Sequence, residues 1–100
     1  MKPLTKADLD SPRANRALLC LALRNLPKGW AWDYRDHCHC AIGLAQYLGL
    51  ITTQRFRDLA AAIGAAPDDV EAICYYARRT DQTPADVTPI QIANRIERLP

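Results

Sequence analysis

Apolar residues recur along this chain at intervals of three and four, and Pro or Gly stands at the edge of most of these runs. In an α-helix that spacing gathers i, i+3, i+4 and i+7 into one stripe, because each turn takes 3.6 residues. Five such runs occupy much of the 100 residues and leave little chain for a sheet. The predicted fold is all-α, a compact single-domain bundle of about five short helices, with residues 1–100 forming one all-helical domain.

The boundaries follow from local chemistry. Ser11-Pro12 places a capping hydroxyl before a proline whose missing N–H costs nothing at the first helical position. From there a helix is expected to Leu26, with Ala14, Ala17, Leu18 and Leu21 as its stripe and Pro27 and Gly29 as its stop. A second helix is expected over Cys38 to Leu48 (Ala41, Leu44, Ala45, Leu48), and a third over Gln54 to Ile63 (Phe56, Leu59, Ala60, Ile63). Pro67 opens a fourth, to about Arg79, with Val70, Ile73, Cys74 and Ala77 inward. The last runs from Pro89 to Leu99 behind a Thr88/Gln91 capping box and buries Ile92, Ile96 and Leu99. A faint echo links Leu44-Ala45-Gln46-Tyr47-Leu48-Gly49 to Leu59-Ala60-Ala61-Ala62-Ile63-Gly64, as two helix ends with Gly caps would.

Composition narrows the class. Hydrophobic residues make up 49% and charged residues 24%, the balance of an ordinary globular protein. Thirteen Lys+Arg against eleven Asp+Glu give +2, which excludes a strongly basic nucleic-acid coat and an overall acidic DNA mimic. Ten of the bases are Arg and nine of the acids Asp, with Ala at sixteen positions, a bias in keeping with a GC-rich genome. No run approaches the ~20 apolar residues of a membrane span, and the start, Met1 to Asp8, lacks a secretory core. A cytoplasmic location follows as the expectation, with no membrane association. Cys20, Cys38, Cys40 and Cys74 are then thiols rather than a disulfide framework.

Catalytic and metal chemistry have little to stand on. The one dense ligand cluster is His37-Cys38-His39-Cys40, but zinc pairs are spaced by two to five residues so that the chain can wrap the ion. Here the spacing is one, in a stretch that enters a helix. Both histidines of the chain lie in that tetrapeptide, so no separate imidazole exists to activate either cysteine. Gly29, Gly49 and Gly64 sit at helix ends and Gly43 inside one, so no phosphate loop can form. The expectation is a protein that is not an enzyme, with no metal, no cofactor and no small-molecule substrate.

The segment Trp30-Ala31-Trp32-Asp33-Tyr34-Arg35-Asp36 holds both tryptophans. Alternating aromatics in a loop fold down as a lid over a helical core, or stay partly exposed as anchors for a protein partner, where Trp, Tyr and Arg dominate. Tyr75-Tyr76 with Arg78-Arg79 invites the same two readings, and adjacent helical tyrosines cannot both face inward.

Leu59-Ala60-Ala61-Ala62-Ile63-Gly64-Ala65-Ala66-Pro67-Asp68-Asp69-Val70-Glu71-Ala72-Ile73 resembles the helix-turn-helix of repressor-type proteins. Gly supplies the positive φ of the turn, and Leu, Val and Ile lock the helices together. A DNA reader, however, opens its second helix with Gln, Asn, Ser, Arg or Lys. Here Asp68, Asp69 and Glu71 point where phosphates would lie, a like-charge contact costing several kcal/mol that Arg55, Arg57, Arg78 and Arg79 offset only in part. Direct DNA binding is therefore not expected. A small helix-turn-helix transcriptional regulator of a phage or mobile element is the alternative.

Taken whole, and above all in Met1-Lys2-Pro3-Leu4-Thr5-Lys6-Ala7-Asp8-Leu9-Asp10 and Trp30 to Cys40, the chain resembles the small phage-encoded anti-CRISPR proteins that inhibit the type I-F surveillance complex. That family has no diagnostic motif, so no site is carried over by residue. The resemblance implies stoichiometric docking on Cas protein subunits in the cytoplasm of an infected bacterial host, so that target DNA cannot enter. Surfaces that receive DNA are lined with Lys and Arg. Asp68, Asp69 and Glu71 are the candidates to meet such a surface, with Trp32, Tyr34 and Arg35 as packed anchors. The competing role for the acids is stabilisation of the helix dipole alone, about 0.3–1 kcal/mol each.

Overall fold

Ser11 does what its place before a proline suggests: it is extended (φ −70°, ψ 145°), and its Oγ accepts from the Ala14 N–H at 3.1 Å. Helix α1, Pro12–Arg24, follows from that cap in a computed structural model that describes residues 11–33, 38–74 and 88–100. The other helices are α2 (Ala41–Tyr47), α3 (Phe56–Ile63), α4 (Pro67–Cys74) and α5 (Pro89–Glu97). No strand occurs among the described residues, and the protein is an all-α bundle. The most extensive contact is α1 on α5, followed by α3 on α4 and α1 on α3. The largest fully buried side chains are Leu19, Leu23, Ile42, Leu44, Leu59, Ile63 and Ile96, which form one continuous core.

The expected stripe of α1 is not the buried one. Leu19, Cys20 and Leu23 face the core, whereas Ala17, Leu18 and Leu21 are exposed and Ala14 is half-buried. Two overlapping stripes satisfy the spacing, and polar side chains choose between them. Asn15 Nδ2 donates to Ala62 O at 2.9 Å, and Arg16 Nε donates to Ile63 O at 3.0 Å. These bonds fix the rotation of α1 against the last turn of α3. The helix also ends two residues early, because Leu26 precedes Pro27 and is disfavoured in α conformation. Asn25 leaves the helix, and its side-chain amide folds back to Leu21 O at 3.1 Å.

Helix α2 begins at Ala41 rather than Cys38. The His39 carbonyl, which would join the helical ladder, instead accepts from Trp30 Nε1 at 3.0 Å and from the Asp33 N–H at 3.4 Å. Cys40 stays extended and becomes the cap. Ala41, Leu44 and Ala45 are buried as the spacing predicts, and so are Ile42 and Gly43, whereas Gln46 and Tyr47 in the last turn of α2 are exposed. Helix α3 begins at Phe56, after Thr53 Oγ1 has accepted from the Arg55 N–H at 3.3 Å and donated to Asp58 at 2.5 Å.

The echo between residues 44–49 and 59–64 is one capping device used twice. Gly49 N–H donates to Gln46 O and Leu50 N–H to Ala45 O; Gly64 N–H donates to Ala61 O and Ala65 N–H to Ala60 O. Both are Schellman motifs with the glycine at positive φ, 78° and 68°. Gly64 is doubly constrained, since a Cβ there would sit 2.9 Å from Pro12 Cβ. Thr88 caps α5 by accepting from the Gln91 N–H at 3.3 Å; Ile92 and Ile96 are buried and Leu99 is half-buried, though the helix stops at Glu97. Helix α4 buries Val70 and Ile73; its expected extension to Arg79 lies outside the described residues.

Candidate interaction surface

The helix-turn-helix-like segment forms the unit its residues suggest. Helix α3 ends at Gly64 in left-handed conformation, two residues bridge to Pro67, and Leu59, Val70 and Ile73 are all buried. With Val70 and Ile73 inward, the helical period turns Asp68, Asp69 and Glu71 outward, and all three are exposed. None of the three pairs with a base among the described residues, where the Arg24–Glu97 contact is the only ion pair. Arg55 and Arg57 are exposed at the start of α3, while Arg78 and Arg79 lie outside the described residues. The leading face of α4 is therefore a solvated acidic surface on a packed helix pair. Such a surface repels phosphate and attracts guanidinium and ammonium groups.

Of the expected anchors, Trp32 is half-buried and packs against the core, as a lid residue does. Tyr34 and Arg35 lie outside the described residues, as do Tyr75 and Tyr76. Trp30 is also half-buried, and with its N–H bonded to His39 O its ring meets two others edge-on: His39 (6.0 Å between centroids, 68°) and Tyr47 (5.4 Å, 65°). Tyr47, 64% exposed at the end of α2, is the most exposed large hydrophobic side chain among the described residues, and the sequence pattern does not single it out. Its signal was its place off the apolar stripe of α2, which predicts a surface position but not a neighbouring Trp.

Arg16 is the second residue that sequence reasoning missed. Its guanidinium donates to Ile63 O (3.0 Å), Gly64 O (3.0 Å), Leu99 O (2.6 Å) and Pro100 O (3.1 Å). One side chain thus gathers the carbonyls at the end of α3 and those following α5, and so holds the base from which α4 departs. Arg24 bonds to Asn94 Oδ1 at 3.1 Å and to Glu97, tying the last turn of α1 to α5.

Cys20, Cys38 and Cys40 are free thiols, and the side chain of Cys74 lies outside the described residues. Cys20 and Cys40 are buried thiols and Cys38 is exposed, with its Sγ accepting from Gln54 Nε2 at 3.4 Å. His37 lies outside the described residues, among which no three His, Cys, Asp or Glu side chains gather as a metal site would require. Burial pushes the Cys20 thiol up from its ordinary range; Arg24 and Arg16 pull against that shift and Glu97 adds to it. Its S–H rests against Ala93 O at 3.6 Å, the behaviour of a small core residue. Among the described residues no helix is long and apolar enough to cross a membrane. No family model, no curated protein and no solved structure matches this chain.

Proposed function

We propose that the protein is an anti-CRISPR inhibitor that binds Cas protein subunits of a type I-F surveillance complex and blocks target DNA binding in the cytoplasm of the infected host. It acts by occupancy, without catalysis, metal or cofactor, and without DNA contact of its own. The observation that carries the reading is the exposed Asp68-Asp69-Glu71 face on a helix held by its buried Val70 and Ile73. A surface built to take a DNA backbone presents Lys and Arg, and three carboxylates on one rigid helix can neutralise part of it before DNA arrives. Trp32, half-buried against the core, and the Trp30–Tyr47 pair at the end of α2 supply aromatic area of the kind that anchors interfaces.

The test is a charge reversal. Asp68→Lys with Asp69→Lys alters two exposed side chains in the first turn of α4, at a dipole cost of about 1–2 kcal/mol for the pair. Loss of inhibition with helicity intact is the expected result; full inhibition by the double variant contradicts the assignment. The α3–Gly64–α4 geometry favours a second reading, a helix-turn-helix regulator. It predicts salt-dependent binding of the protein alone to a palindromic operator.

A further inference from the structure

Helix α1 is apolar on two sides, and only one of them meets the core. Leu19 and Leu23 are buried, while Leu18 is 42% and Leu21 59% exposed on the outer side, next to the exposed Ala17. An open groove of about 660 Å³ runs along this side of α1 to Glu97 of α5. Ala17, Cys20 and Leu21 line its apolar part, with the exposed Leu18 outside the groove beside Ala17, and Arg13, Arg16 and Arg24 supply three positive groups against the single carboxylate of Glu97.

We propose that this face of α1 is a docking surface for an amphipathic helix of a partner protein, with an aliphatic stripe edged by Asp and Glu. The apolar part asks for aliphatic side chains. Arg24 is already paired with Glu97 and Arg16 is bound to helix-end carbonyls, so the carboxylates belong above all at the end of the stripe marked by the exposed Arg13. A helix suits the shape, because Ala17, Leu18 and Leu21 form an exposed apolar edge along the middle of the 13-residue α1.

A second copy of the chain fits less well. Two α1 faces brought together oppose like-charged arginine rims, and the exposed apolar residues flanking the carboxylates of α4 are small, Ala66, Pro67 and Ala72. The surface is also distinct from the one in the proposed function. A basic, DNA-receiving patch that accepts α4 repels a face carrying Arg13, Arg16 and Arg24, so the two faces call for partners of opposite charge.

The probe is a fluorescent synthetic helix of about four turns, with a leucine stripe edged by Glu, and a counterpart with each Glu replaced by Lys. The expected result is saturable binding of the Glu-edged peptide that weakens with salt, with no binding of the Lys-edged one. Leu18→Gln with Leu21→Gln, and separately Arg13→Glu, should each weaken it about tenfold or more, and melting temperature checks that each variant stays folded. No saturable binding, equal binding of the two peptides, or wild-type affinity in the leucine variant overturns the proposal. So does a dimer, seen by sedimentation, that the leucine substitutions dissolve, since a second copy would then be the occupant. Asp68→Lys with Asp69→Lys should leave peptide binding unchanged, so a failure here and a failure of the inhibitor reading are read separately.

Discussion

Replacing Arg16 by Ala removes four hydrogen bonds at once, and the structure says how much of that loss stability should register. Two of the bonds, to Gly64 O and Pro100 O, are solvent-exposed, so water replaces them at little cost. The bonds to Ile63 O and Leu99 O are partly buried. Charged hydrogen bonds contribute about 1.5–3 kcal/mol when buried, and partial exposure cuts these two to about 1 kcal/mol each. Adding the lost packing of the arginine stem gives about 2–3 kcal/mol, a fall in melting temperature of roughly 10–20 °C for a domain of this size. Urea unfolding followed by tryptophan fluorescence and circular dichroism measures it. Arg16→Lys keeps the charge and the stem but not the planar fork, and should recover about half of the loss. Arg13→Ala, an exposed neighbour on the same helix, should stay within about 0.5 kcal/mol of wild type. If Arg16→Ala costs no more than Arg13→Ala, or Lys restores full stability, Arg16 does not clamp the helix ends.

Other expectations come from single positions. Gly64→Ala meets both a φ of +68° and a 2.9 Å approach to Pro12 Cβ, so it should cost about 2–4 kcal/mol; a loss under 1 kcal/mol in urea unfolding would show that the α1–α3 junction relaxes freely. Ser11→Ala should cost about 1 kcal/mol through the lost cap, and Ser11→Asp should restore it in the same assay; an uncapped wild-type helix would be indifferent to both. For Cys20 the native thiol ionises above its unfolded range, so the folded state holds a proton that the unfolded state has released. Its contribution to stability is intact below the unfolded thiol range and is lost as pH rises through the native value. Mapping alkylation against pH should find Cys38 labelled first and Cys20 only at higher pH; equal labelling contradicts the burial argument.

How far the sequence could be read depended on whether a feature is local. The Ser11 and Thr88 caps and the two Schellman ends are written within a few residues, and each formed where the spacing placed it. The outward turn of Asp68, Asp69 and Glu71 follows from Val70 and Ile73 pointing in. The facing of α1 was not legible, because Ala14-Ala17-Leu18-Leu21 and Leu19-Cys20-Leu23 are equally good stripes. Bonds from Asn15 and Arg16 to carbonyls 47 residues away decide between them. The late start of α2 has the same kind of cause, since Trp30 claims the His39 carbonyl from outside the helix. Tyr47 likewise became notable only through its ring contact with Trp30, which no periodicity encodes.

The most direct test of the inhibitor reading is a mobility-shift titration with a labelled target duplex carrying the correct PAM. One arm contains this protein alone, and the other a type I-F surveillance complex preincubated with it. The complex is expected to lose its DNA shift in proportion to added protein, while the protein alone shifts nothing. An undiminished shift by the complex at excess protein contradicts inhibition of DNA binding, and a shift by the protein alone contradicts the charge argument made for α4.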